Sequence, residues 1–284
     1  MKTLIQRLLL FFIGLPVIAA VVFFLPHYNY LAANLIILVL NALGSAEFAG
    51  MLRKRSLPIS NPEAVILGGL APLAVLLGAC FFPGASIIPV SIMAGASWIL
   101  ISRIFKAGKG FENSLNQMAA GLSVIIYPGL FMIWLMKITL LDHAATLLIG
   151  FLLLVISNDS AGWAIGMLFG RSNQGFVAAS PGKSKAGFIG GFAASVIVGI
   201  GMAHFAPQVF PARFSSRTLT GAFLGLVCAL AGSLGDLAES VMKRSAGIKD
   251  SGTIVPGRGG ILDCTDSIAL TAPVFYGLCR LLFS

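Results

Sequence analysis

Leu8-Leu-Leu-Phe-Phe-Ile-Gly-Leu-Pro-Val-Ile-Ala-Ala-Val-Val-Phe-Phe-Leu25 is a run of 18 residues without a charge. That approaches the roughly 20 apolar residues a helix needs to cross a hydrocarbon core of about 30 Å. Runs of the same kind follow at 30–51, 64–82, 87–101, 115–136, 144–170, 186–206, 219–241 and 262–283, which makes nine candidate helices. Only helices or closed barrels satisfy the backbone in lipid, and no period-two alternation marks a barrel. The expected fold is therefore all-α, a polytopic integral membrane helical bundle of about nine transmembrane helices. The first run is longer than the apolar region of a secretory signal, about 7–15 residues, and no A-x-A site follows it. A retained helix is expected there.

Composition agrees. Of 284 residues, 57% are hydrophobic and only 10% are charged, with a mean hydropathy of +0.95. A soluble domain carries about 25% charged residues, which excludes an ordinary cytosolic enzyme. So apolar a chain is not disordered either. The net charge of +9 would suggest nucleic acid in a soluble protein. Here its placement matters more, and no nucleic-acid partner is expected. With nine spans, 15 of the 19 Lys and Arg fall at the N-terminus and in the loops at 53–55, 103–109, 171–185 and 243–258; Lys137, Arg213, Arg217 and Arg280 fall on the other side. Positive residues stay cytoplasmic. The expectation is a multi-pass protein of the cell inner membrane with its N-terminus in the cytoplasm.

The acidic residues point to chemistry. Six of ten lie from Asp159 onward: Asp159, Asp236, Glu239, Asp250, Asp263 and Asp266. All but Asp250 sit inside or at the end of a proposed span, where each charge costs roughly 2.5–3.5 kcal/mol on insertion scales. Asp236, Glu239 and Lys243 follow one another at three and four residues, and Asp263 and Asp266 at three, so each set shares a helix face. Two carboxylate faces meeting in a bundle need a positive charge between them, and oxygen-only donors suit Mg²⁺. Two other readings stand beside this one: carboxylates neutralised by Lys243 or Arg244 without a metal, and an ion path through the membrane. No repeat relates the two halves, and the acids gather at the cytoplasmic ends, which favours chemistry on a cytosolic substrate.

Basic residues and glycines interleave with the acids. Lys243-Arg244-Ser-Ala-Gly-Ile-Lys249-Asp250 runs into Pro256-Gly-Arg258-Gly-Gly260, and an earlier loop reads Ser180-Pro-Gly-Lys183-Ser184-Lys185. Exposed backbone N–H groups beside cations make a phosphate-binding environment. It is not a P-loop, because Gly182-Lys183-Ser184 would need glycine at position 177, where Val177 stands. Carboxylates, cations and glycines at one membrane face describe metal-assisted phosphoryl or nucleotidyl transfer.

The stretch from Ser240-Val-Met-Lys243-Arg244 through Lys249-Asp250 to Pro256-Gly-Arg258-Gly-Gly-Ile-Leu-Asp263-Cys264-Thr-Asp266 resembles the signature of the phosphatidate cytidylyltransferases, or CDP-diacylglycerol synthases. That signature runs S-x-x-K-R-x-x-x-x-K-D and then P-G-H-G-G-x-x-D-R-x-D. Gly235-Asp236-Leu-Ala-Glu239-Ser240 and the Ser180–Gly191 stretch match family landmarks in order, so the resemblance covers roughly residue 158 to the end. It implies a membrane enzyme that joins CTP and phosphatidate, or a related lipid phosphate, into CDP-diacylglycerol and pyrophosphate. By carry-over, Asp236, Asp263, Asp266 and Lys243 are catalytic. Asp236, Asp263 and Glu239 hold Mg²⁺, with a second cation possible. Ser180, Lys183, Arg244, Lys249 and Arg258 bind substrate, and Asp159 supports the metal or the structure.

Three positions depart from the pattern: Arg258 for histidine, Cys264 for arginine, and Ala186 for an acid or amide. A paralogue acting on another lipid phosphate, or a non-catalytic lipid or ion carrier, is the alternative. The chain divides into N-terminal transmembrane helices, 1–143, and a C-terminal catalytic region, 144–284. Glycines at 162/166/170, 187/191 and 221/225 have the spacing of close helix packing, within the bundle or in a homodimer. Glu47, an acid in an otherwise uncharged span, reads as an internal ion pair or a functional contact. The scattered cysteines (80, 228, 264, 279) and histidines (27, 143, 204) show no metal spacing.

Overall fold

Apolar length and caps together set the helices. The computed structural model describes residues 13–82, 87–105, 111–210 and 216–283. It contains α1 (Leu15–Phe24), α2 (His27–Arg53), α3 (Asn61–Cys80), α4 (Ile87–Phe105), α5 (Ser114–Ile138), α6 (Ala144–Phe169), α7 (Lys185–Phe205), α8 (Arg217–Ser245) and α9 (Leu262–Phe283). These nine answer one for one to the nine apolar runs, and no strand occurs among the described residues. Helices α2 to α8 are long and apolar enough to cross a membrane. Helix α9 has 22 residues but falls outside that set; its first five include Asp263 and Asp266. Residues 8–12 of the first run, and Lys2, Arg7, Lys106, Lys109 and Arg213 of the charge pattern, lie outside the described residues.

The chain forms two units. One comprises the described residues up to Leu140 together with Met242–Cys264; the other comprises Leu141–Val241 with the described residues from Thr265. Met242–Cys264, which sequence reasoning grouped with the C-terminal region, clusters instead with the first unit. The reason is side-chain chemistry: Glu47 on α2 takes hydrogen bonds from that segment.

In the first unit, Ser60 caps α3 by accepting the Glu63 N–H at 3.3 Å, with Pro62 in the first turn. Glu63 then pairs with Arg103 of α4 at 2.5 Å, and Arg103 also donates to Gln117 of α5 at 2.8 Å. Arg103, counted among the loop cations by sequence, is thus a buried tie between helices. Pro128 interrupts α5 within a π-helical turn, Ile125–Leu130, because it has no N–H for the ladder. Beside it, a Cβ on Gly129 would lie 3.1 Å from the Gly68 carbonyl, so α5 and α3 approach backbone to backbone. Phe48, Leu67, Ile99, Val124 and Leu262 fill the core of this unit.

In the second unit, α6 and α7 lie along each other through the glycine stripes. A Cβ on Gly187 would meet the Gly162 carbonyl oxygen at 2.7 Å, and one on Gly191 would meet the Asn158 carbonyl oxygen at 2.7 Å. Gly199 of α7 faces Gly221 of α8 in the same way. Small residues at this spacing let membrane helices close. Gly187→Leu is expected to force α6 and α7 apart and lower stability by about 1–3 kcal/mol, the usual cost of overpacking. Gly182→Leu, with nothing within 4 Å of its Cβ position, should leave the melting temperature of the solubilised protein almost unchanged.

Candidate functional site

The first unit carries a polar hub at the start of α9. Lys243, in the last turn of α8, donates to Asp263 Oδ1 at 2.6 Å. Asp263 Oδ2 accepts the backbone N–H of Ser251 at 2.7 Å, that of Gly260 at 2.7 Å, and the Ser251 hydroxyl at 2.9 Å. Both oxygens are thus engaged, and the side chain is only 5% exposed. The connecting loop closes tightly: the Val255 N–H donates to the Gly259 carbonyl at 2.7 Å, and the Arg258 N–H donates to the Val255 carbonyl at 3.1 Å. Glycine is required at 259, where φ is +113° and a Cβ would stand 2.5 Å from Asp263 Oδ2. Around this hub, Arg244, Lys249 and Arg258 are exposed. The geometry is a fixed carboxylate–ammonium pair beside exposed cations.

The second unit carries the other acids. Lys183 donates to Asp236 Oδ2. Lys183 is delivered by a turn in which its N–H donates to the Ser180 carbonyl at 3.0 Å, while Ser184 caps α7 by accepting the Gly187 N–H at 3.1 Å. Its ammonium also lies 5.5 Å from the Phe188 ring centroid, within cation–π range. Ser180 therefore shapes the loop through its backbone. Asp236, Glu239 and Asp159 all lie within electrostatic range of Asp266. Asp266 Oδ1 accepts the Ser267 N–H at 2.6 Å, and Asp159 Oδ1 stands 3.3 Å from the Ser267 hydroxyl.

Each expected site residue thus has a place. Asp236, Glu239, Asp266, Lys183 and Ser180 belong to the second unit. Asp263, Lys243, Arg244, Lys249 and Arg258 belong to the first. Among the described residues, no three His, Cys, Asp or Glu side chains are gathered so as to hold a metal ion. The donor set of the second unit, carboxylate oxygens facing Asp266, nevertheless has the hard-oxygen chemistry of Mg²⁺. Asp263 differs, because its oxygens already accept from Lys243, Ser251 and Gly260.

Two participants were missed or underread. Ser251 occupies an unspecified position between motifs and gave no signal. Glu47 signalled itself as an intramembrane acid, read as an ion pair or a functional contact; of the two, the structure shows no cationic partner among the described residues. Its partners are backbone N–H groups at the start of α9 and the Ser251 hydroxyl.

The phosphatidate cytidylyltransferase of Synechocystis sp. is 41% identical over 118 residues, 42% of this chain and 38% of that protein. The Haemophilus influenzae protein of the same name is 37% identical over 134 residues, 47% of this chain and 45% of the relative. The chain therefore spans less than half the length of these two relatives. That of Staphylococcus aureus (strain COL) is 29% identical over 262 residues, 92% of this chain and 95% of its own length. A family model described as the cytidylyltransferase family matches residues 5–282. The chain belongs to the cytidylyltransferase family.

Proposed function

We propose that this chain is a membrane nucleotidyltransferase that converts CTP and phosphatidate into CDP-diacylglycerol and pyrophosphate at the cytoplasmic face of the inner membrane. The observation that carries the reading is the Asp263 hub, a buried carboxylate–lysine pair inside a glycine loop ringed by exposed cations, in a member of the cytidylyltransferase family. The concentration of Lys and Arg in alternate loops supports the cytoplasmic placement.

In the reaction, a phosphatidate oxygen forms a bond to the α-phosphorus of CTP. The bond from that phosphorus to the bridging oxygen breaks, and the pyrophosphate leaves with the electron pair. Two polyanions must meet. Arg244, Lys249 and Arg258 hold phosphate oxygens, and Lys183 exchanges Asp236 for a phosphate when substrate arrives. Asp236 and Glu239, with Asp266 nearby, would hold Mg²⁺. When bound, the ion supplies neutralising charge to the phosphates. Asp263, which the family resemblance offers as a further ligand, is better supported as the organiser of the glycine loop, since both of its oxygens have donors. Lys243 holds Asp263 and lends its charge to the bound phosphates.

Arg258 and Cys264 bear on substrate choice. Arginine is a permanent cation and cannot shuttle a proton near neutral pH, so Arg258 acts by its charge and its N–H donors. The double change Arg258→His with Cys264→Arg should raise kcat/KM on phosphatidate about tenfold if the present residues favour another lipid phosphate. Unchanged kcat/KM would mean the two positions are neutral. The reading itself is tested on purified protein in lipid nanodiscs, given labelled CTP, Mg²⁺ and a panel of phosphatidate, lysophosphatidate and an isoprenoid phosphate. Formation of a cytidylylated lipid from phosphatidate is the expected result. Absence of any such product, with solute crossing vesicles and CTP intact, would favour the carrier reading instead.

A further inference from the structure

Glu47 lies on α2, outside the signature and outside every role given above. Its Oε1 accepts the Ile261 N–H at 2.9 Å, and its Oε2 accepts the Leu262 N–H at 3.0 Å. The Ser251 hydroxyl stands 2.9 Å from Glu47 Oε2 and 2.9 Å from Asp263 Oδ2. A hydroxyl has one proton to donate, so Ser251 is shared by the two carboxylates. Space has been cleared for the Glu47 carboxylate: a Cβ on Gly252 would come within 2.5 Å of its Oε1, and one on Gly260 would collide with it and with Ser251. The first N–H groups of a helix have no partner within the helix. Ahead of α9, Asp263 takes the N–H of Gly260 and Glu47 that of Ile261; Glu47 also takes the N–H of Leu262, the first residue of the helix.

We propose that Glu47 is a positioning residue for nucleotidyl transfer. From a neighbouring helix it fixes the glycine loop and the first turn of α9, so that Lys243 and Arg258, held around Asp263, meet the polyphosphate in one geometry. The proposal rests on the cytidylyltransferase reading above.

The test uses the full chain in nanodiscs as wild type, Glu47→Gln and Glu47→Asp, with two readouts. Glutamine keeps the size of the side chain but turns an N–H₂ toward donors, so backbone amides at 261 and 262 should exchange at least about tenfold faster. Per folded molecule, kcat should fall by about 10–100-fold, the usual effect of losing a supporting contact, with KM for CTP changed less than about threefold. Aspartate, which keeps the charge, should recover part of kcat. Wild-type exchange in Glu47→Gln would show that Glu47 does not hold the loop. Faster exchange with wild-type kcat per folded molecule would reduce it to a stability contact. Both results overturn the proposal. A wild-type chain that forms no cytidylylated lipid would instead overturn the functional reading, and the exchange arm would still decide whether Glu47 holds the loop.

Discussion

Asp263→Asn is expected to lower the rate of CDP-lipid formation by about 10²–10³-fold, the effect of removing one preorganised electrostatic group from a reaction centre. It should also destabilise the protein. The Lys243 and Asp263 side chains are only 11% and 5% exposed, and removing one partner of a buried pair costs about 3–5 kcal/mol. An asparagine cannot accept from Lys243 on one side and from Ser251 and Gly260 on the other, because one of its two polar atoms is a donor. The loop from 251 to 260 would lose its anchor. Thermal unfolding of the solubilised variant and its rate per folded molecule, measured together, separate the two losses. A variant as stable and as active as wild type would remove Asp263 from the account.

Asp236→Asn should behave differently, although its loss of activity is as large. Lys183 and Asp236 are 25% and 29% exposed, and a pair that wet contributes about 0–1 kcal/mol to stability. The melting temperature should therefore hardly move while turnover falls by about 10²–10³-fold. Dependence of the residual rate on Mg²⁺ should shift to higher concentration, since the remaining acids carry less charge. If Asp236→Asn loses as much stability as Asp263→Asn and keeps its turnover, Asp236 is a structural partner of Lys183 and nothing more.

Much of this architecture was legible before any coordinates. Lipid leaves the backbone few options, so apolar run length alone located α2 to α9 to within a few residues, and the glycines at 162, 187, 191 and 221 read correctly as packing. The Ser240–Asp266 signature also pointed to the family that the comparison shows. The grouping of elements was less legible. Met242–Cys264 follows directly on the rest of α8, and nothing local says that a carboxylate some 200 residues earlier will draw it to α2. Glu47 was visible as an oddity, but its partners are backbone N–H groups, which every residue except proline carries and which therefore leave no pattern. Ser251 illustrates the same limit, since a serine between Asp250 and Gly252 looks like any loop residue. Arg103 was read by its neighbourhood as a loop cation, whereas the partner that decides its place, Glu63, lies 40 residues away.

Nucleotidyl transfer is expected to depend on Asp236 and on Asp263 alike. The direct measurement is to supply CTP labelled at the α-phosphorus to wild type, Asp236→Asn and Asp263→Asn in phosphatidate-containing nanodiscs, at equal folded protein. Label in the lipid fraction should match released pyrophosphate mole for mole with wild type, and both should be nearly lost with either variant. Label transfer at the wild-type rate by either variant would contradict it.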